Sequence, residues 1–427
     1  MTPPRGPRPV LGSCAAALVM ALVAACTSGT GGDSGTTTTS SVPSTPSSPT
    51  TGTTPTATAT PTTVTPTRPS PPRSSTTTTV ALSCGTRLAA RLTPAQRAGQ
   101  LLLVGLRPTG SSQALAAQVR GQGLGGVIYL GGWTSGSASV RAVSERLQAS
   151  AGGHLLVAAD QEGGQVQQLR GPGFTRIPSA RTQATTSPAT EQRNVTTWSR
   201  ELLRAGVNVD LAPVADTVPT SLGAANQPIG RYRRDFAPGS PTTNATYAAA
   251  FVRGSLAAGV APTAKHFPGL GRITGNTDVT AVGTTDFTTD RDDPYLAPFR
   301  ASIAAGARLV MVSSARYPRI DGDNRAMFSR AVVTGLLRGE LGYHGVVITD
   351  DVGAAQAVAA IPVGERATRF IAAGGDIVLT AEAGQASTML AAIAAKRKAS
   401  PAFAAQVDAA AARVLDLKAD LKLVSCD

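Results

Sequence analysis

The chain has 427 residues, 42% hydrophobic and 15% charged, with four Cys; this excludes a wholly disordered chain and a disulfide-dense mini-scaffold. Beyond the N-terminus no run reaches the ~18 apolar residues of a membrane span. The balance of 39 Lys+Arg against 26 Asp+Glu gives +13, but aromatic residues make up only 4%, too few for the stacking platforms of a nucleic-acid binder. Lys396-Arg397-Lys398 is the densest basic run. The charge fits a diffuse attraction to anionic envelope polymers.

In chain order, Arg5 and Arg8 precede an apolar run, so residues 1–25 read as a secretory signal. The run ends in Val23-Ala24-Ala25-Cys26, small residues before a Cys as in a bacterial lipobox. Cys26 is therefore expected to be a lipidated N-terminus holding the protein to the cell membrane on its extracytoplasmic side. An ordinary secretory signal with an incidental Cys is the alternative, and whether a tethered form is shed stays open. Residues 26–80 are almost entirely Ser, Thr, Pro, Gly and Ala, which cannot bury enough surface to offset chain entropy and predicts a disordered spacer. One folded domain is then expected over 81–427. Cys14 leaves with the signal, so Cys84 and Cys426 remain at the two ends of that domain. They are expected to pair, with two free buried thiols the alternative; a loop of that length is worth about 5 kcal/mol at most.

Within the domain, short apolar runs at 101–106, 127–130, 155–159, 207–212, 261–267, 309–313, 346–349 and 377–379 predict strands. Helical spacing fills the gaps, over 112–119, 137–151, 189–205, 247–258, 297–305, 329–341, 363–373 and 385–395. A final helix is expected over 401–421. Eight βα units imply an α/β fold, a (β/α)8 barrel with its active site at the C-terminal strand ends; an open doubly wound sheet is the rival. Gly121-Gln122-Gly123-Leu124-Gly125-Gly126 matches a dinucleotide fingerprint, but it follows a helix and opens a strand, the reverse of the required context. It reads as a helix-ending turn, and neither a cofactor nor a metal is expected.

Polar residues gather at the predicted strand ends: Asp160-Gln161-Glu162 after the third, Asp210 and Asp216 at the fourth, Lys265-His266 at the fifth, Asp350-Asp351 at the seventh. Singly, each has an ordinary explanation, such as a helix cap for Asp351 or a solvated side chain for Lys265. Together at one barrel mouth they suggest recognition of a polyhydroxylated ligand with acid/base chemistry.

The segments Asp160-Gln161-Glu162-Gly163-Gly164, Lys265-His266-Phe267-Pro268-Gly269 and Ile348-Thr349-Asp350-Asp351 resemble those of family 3 glycoside hydrolases of the β-N-acetylglucosaminidase type. The likeness extends over about 92–415. It implies a (β/α)8 barrel and a retaining mechanism through a covalent glycosyl-enzyme intermediate. It also implies Asp350 as nucleophile, with Asp160, Lys265 and His266 on sugar hydroxyls. Arg234 best matches a binding arginine, with Arg231 or Arg233 as substitutes. A second binding arginine is replaced here by Gln168. Where these glucosaminidases carry Asp-Ser-His, this chain has Asn276-Thr277-Asp278, so Asp278 is the expected acid/base. The expected protein is a monomeric exo-enzyme releasing terminal GlcNAc from peptidoglycan fragments. A β-glycosidase of other specificity and a non-catalytic sugar-binding lipoprotein are the alternatives.

Overall fold

In the computed structural model the described residues are 82–426; the predicted signal, the predicted lipidation site Cys26 and the predicted spacer lie outside them. Eight strands run parallel: β1 Leu102–Leu106, β2 Gly126–Tyr129, β3 Leu156–Ala159, β4 Val209–Asp210, β5 Ala261–Phe267, β6 Leu309–Val312, β7 Val346–Thr349 and β8 Val378–Thr380. Each is buried along its whole length. That explains why they read as continuous apolar runs rather than alternating ones. The order is β7-β6-β5-β4-β3-β2-β1-β8, and a parallel bridge from Ile348 to Ile377 joins the ends. The sheet is a (β/α)8 barrel, as the eight-unit pattern predicted.

Several helices share one start signal, a Ser or Thr cap followed by Pro in the first turn: Thr93-Pro94, Ser187-Pro188, Ser240-Pro241 and Ser400-Pro401. Proline there lacks only an N–H that has no helical partner anyway. This signal moves one start from the expected 247 to Pro241, giving Pro241–Ala258. The glycine-rich turn ends helix Ser112–Gln122 with Gly123 at φ 63°, a left-handed cap that favours glycine. It is a helix stop, as its reversed context implied.

Two helices ahead of the barrel, Cys84–Arg91 and Pro94–Gln100, were not foreseen, and neither were two small antiparallel hairpins. One pairs Gln161–Gly163 with Val166–Gln167; the other pairs Arg316–Tyr317 with Asp321–Arg325. Both hairpins are short and polar, so no apolar run announces them. The terminal helix Pro401–Asp420 packs Ala412 and Leu415 against Ala89 of the first helix. Its Arg413 reaches Asp376, which also holds Arg338 and the amide of Val347 in β7. Cys84 and Cys426 form a disulfide across 342 positions, with Cα atoms 5.3 Å apart, so the expected pairing is present.

Candidate active site

The C-terminal ends of the strands surround a pocket of about 440 Å³. Asp160, Gln168, Arg234, Lys265, His266, Asp278 and Asp350 all line it; the expected set therefore converges. Arg231 and Arg233 are exposed and do not line it, which leaves Arg234 as the arginine of that segment.

The floor is a charge network built on β3 and β5. Lys265, only 1% exposed at the end of β5, sets its Nζ 2.5 Å from Asp160 Oδ1 and 2.5 Å from Glu162 Oε1. Burial of an ammonium is tolerated here because two carboxylates pair with it. Glu162 also receives Arg234 in a fork, Nε to Oε2 at 2.8 Å and Nη2 to Oε1 at 2.7 Å, while Arg234 Nη1 donates to the Pro228 carbonyl at 2.9 Å. Burial alone would raise Glu162, but Arg234 and Lys265 outweigh it and hold the carboxyl down at about 2. A permanently ionised Glu162 thus fixes both cations.

His266 follows Lys265 through a cis peptide bond. Its Nδ1 lies 2.7 Å from Asp216 Oδ2, and its Nε2 lies 3.3 Å from Arg234 Nη2. Because the guanidinium can only donate, Nε2 accepts and Nδ1–H donates. Burial, with Arg234 and Lys265 beside it, holds His266 well below the usual histidine range, so the ring is neutral. Both ring nitrogens are thus engaged by protein groups. His266 lines the pocket but orients Arg234, where direct contact with a sugar hydroxyl was expected. Asp216 is buried beneath it, accepting from the amides of Leu270 and His266; burial raises its carboxyl to about 7. Asp210 is likewise buried under the site, held by the Gln161 amide at 3.2 Å. These two acids are buried and do not line the pocket.

The other wall carries the carboxyls of Asp350, Asp351 and Asp278. Asp351 accepts from the amides of Gly353, Ala354 and Ala381 at 2.7 to 2.8 Å, and so organises its own loop; no helix starts there for it to cap. Asp350 accepts one amide bond, from Asp351 at 2.9 Å, and its carboxyl borders the cavity. Burial and the neighbouring Asp278 push Asp350 up from the usual carboxylate range. Asp278 sits on the open rim, on a loop stapled to the turn Gln356–Val358. The amides of Gln356 and Ala357 donate to the carbonyls of Asp278 and Thr277 at 3.1 and 3.0 Å. Desolvation in the pocket mouth, then Asp351 and Asp160, raise Asp278 against the pull of Arg234 and Lys265. The two carboxyls therefore titrate as a pair that keeps one proton where isolated carboxyls would have lost it.

Gln168 accepts from the Gly132 amide at 3.0 Å through Oε1, which turns its amide nitrogen toward the cavity side. Sequence reasoning gave no role to Glu162, Asp216 or Arg107. The last lines the pocket from the end of β1 and pairs with Glu382 at 3.2 Å. For Glu162 and Asp216 the signal was an acid two residues after Asp160 and another six after Asp210. Arg107 carried none.

Residues 94–417 match the "Glycosyl hydrolase family 3 N terminal domain". A β-hexosaminidase of Stenotrophomonas maltophilia strain K279a is 35% identical over 250 residues, 57% of this chain and 70% of that protein. One from Xylella fastidiosa strain M23 is 32% identical over 304 residues, 70% of this chain and 88% of its own. The crystal structure of a β-N-acetylhexosaminidase from Beutenbergia cavernae DSM 12333 superposes with a TM-score of 0.75 at 47% identity, covering 77% of this chain and 99% of that one.

Proposed function

Because the chain belongs to glycosyl hydrolase family 3 and is a glycoside hydrolase acting on O-glycosyl bonds, we propose that it is a retaining exo-β-N-acetylglucosaminidase that releases terminal GlcNAc from peptidoglycan fragments. The observation that carries this reading is that Asp278 and Asp350 line one pocket, where Asp278 raises the proton affinity of Asp350. The names of the similar hexosaminidases support the donor sugar.

The single proton of the pair belongs on Asp278, since only Asp350 has an amide donor, that of Asp351, stabilising its anion. Asp278 gives this proton to the glycosidic oxygen as Asp350 attacks the anomeric carbon from the other face, and the aglycone leaves as an alcohol. Asp278, now a carboxylate, takes a proton from water, whose oxygen displaces Asp350. Asp160, Lys265 and Arg234 bind sugar hydroxyls, and Gln168 serves in place of a second arginine. An extracytoplasmic protein tethered through lipidated Cys26 is part of the same proposal. The Cys84–Cys426 disulfide supports an oxidising compartment.

A second reading, a β-glycosidase with another donor, rests on Asp278 standing where related glucosaminidases carry histidine. Hydrolysis of an aryl β-GlcNAc beside an aryl β-glucoside, by wild type and Asp350→Ala, tests both. Wild type should strongly prefer the GlcNAc substrate and Asp350→Ala should be inert on either. Preference for the glucoside would select the second reading, and a near-normal Asp350→Ala rate would remove Asp350 as nucleophile.

A further inference from the structure

The segment 165–168 has two working faces. Val166 and Gln168 line the catalytic pocket. Gln165 and Gln167, pointing the other way as alternation along a strand dictates, line a separate cleft of about 560 Å³ together with Arg170, Phe174 and Arg176. That size suits a small ligand, and the mechanism above uses none of these five side chains.

The walls of the cleft are fixed in place. Gln167 is only 3% exposed; its Nε2 donates to the carbonyls of Leu169 and Thr175 at 3.1 and 2.8 Å, and its Oε1 accepts from the Ile177 amide at 3.0 Å. The Gly164 amide donates to the Ile177 carbonyl at 2.9 Å. Arg170 is likewise anchored, with Nε donating to the Gln167 carbonyl at 2.7 Å. Its Nη2 lies 3.5 Å from the Gln165 carbonyl, and the residue as a whole is exposed. Arg176 is exposed and Phe174 is half-buried against the core. Among the described residues neither guanidinium pairs with a carboxylate. Glu201, the acid that contacts this wall, has both oxygens engaged by the amide and hydroxyl of Thr175, each at 2.7 Å.

We propose that this cleft is a second saccharide site, which takes a carboxylate-bearing sugar unit of the wall glycan. Two guanidiniums offer forked donors that match a carboxylate, and Phe174 supplies an apolar surface for the ring that bears it. A neutral GlcNAc unit has nothing to match the arginine pair, so the cleft recognises a different part of the polymer from the catalytic pocket. The choice of glycan rests on the function proposed above; the preference for an anionic sugar rests on the cleft itself.

Co-sedimentation with insoluble wall glycan stripped of phosphate by hydrofluoric acid tests this, using the domain as wild type, Arg170→Ala/Arg176→Ala, and Arg120→Ala/Arg300→Ala as a charge-matched control at two exposed helix positions. The cleft variant should bind about tenfold more weakly, the control should match wild type, and carbodiimide amidation of the glycan should weaken wild type to the level of the cleft variant. Turnover of an aryl β-GlcNAc should stay within about twofold for both variants. Equal binding by wild type and the cleft variant overturns the proposal. So does an equal loss in the control, tight binding to amidated glycan, or binding that disappears with the phosphate. A cleft variant that loses aryl turnover also overturns it, since the two sites would then not be separate. If wall binding behaves as expected while wild type releases no GlcNAc from wall fragments, the proposed substrate fails and the second site stands.

Discussion

Glu162 touches no part of the cavity's open volume, yet it receives Arg234 through two nitrogens and Lys265 through one. Removing one partner of a buried network leaves uncompensated charge, at a cost of about 3 kcal/mol. Glu162→Gln should therefore lower stability by that order and reduce kcat/KM on an aryl β-GlcNAc more than tenfold, mostly through KM. An unchanged KM would mean that Arg234 and Lys265 keep their places without it. The proposed catalytic pair makes a sharper prediction. Asp278→Ala should lose far more rate on poor leaving groups than on activated aryl glycosides, because only the former need a proton; equal losses would refute the acid/base role. In Asp278→Asn the group that supplies the alkaline ionisation is gone. The alkaline limb of the pH profile on an activated substrate should then vanish, while the acid limb, set by Asp350 beside a neutral neighbour in both proteins, should stay in place. A profile unchanged from wild type would show that the two carboxyls do not share a proton.

Helix Pro188–Arg204 carries an element-scale anomaly. Glu191 is fully buried, and neither carboxylate oxygen has a hydrogen-bond partner. Burial raises its carboxyl from 4.5 to about 7. The folded chain therefore holds a proton that the unfolded chain has lost between about pH 4.5 and 7. Its contribution to stability is full below pH 4.5 and is lost as pH rises through 7. Glu191→Gln should be more stable than wild type at pH 8, by up to about 3 kcal/mol, and should flatten the decline between pH 5 and 7; denaturant unfolding at several pH values measures both. Lys418, on Pro401–Asp420, has the opposite sign. Burial lowers it to about 7 while its Nζ donates to Gln100 Oε1 at 2.5 Å. Its contribution is full above the unfolded value of 10.5 and is lost as pH falls through about 7. Lys418→Met should remove that slope.

Across the whole molecule, the first helix, the last helix and the disulfide form one closure. Asp416 accepts from Ser83 and from the Gly85 amide at 2.9 and 2.5 Å, beside the Cys84–Cys426 bond. Cys84→Ala/Cys426→Ala should cost about 3–5 kcal/mol by releasing a long loop in the unfolded chain. Its kcat should be unchanged, since neither cysteine lines the pocket; a lost kcat would show that the closure also shapes the site. This pairing could be read from counting alone, because two cysteines at the ends of one folded region have little else to meet. The barrel was legible for a similar reason: strands buried on both faces read as apolar runs, interrupted here chiefly by Asp210 in β4 and by Lys265 and His266 in β5. So was the convergence of Asp160, Lys265 and Asp350, since the C-terminal ends of barrel strands ring one mouth; Asp210, at the end of β4, is the exception. The two hairpins and the two leading helices were not legible, being too short or too polar to carry a period. The sequence alone thus determined the architecture and the seven predicted residues that line one pocket. Only the tertiary structure decided the division of labour within it: that Arg234 and not Arg231 or Arg233 enters, that Glu162 holds two cations, and that both nitrogens of His266 are taken. Each of those depends on which groups meet across tens of residues at hydrogen-bond distance, and on a burial that shifts proton affinity, neither of which local patterning encodes.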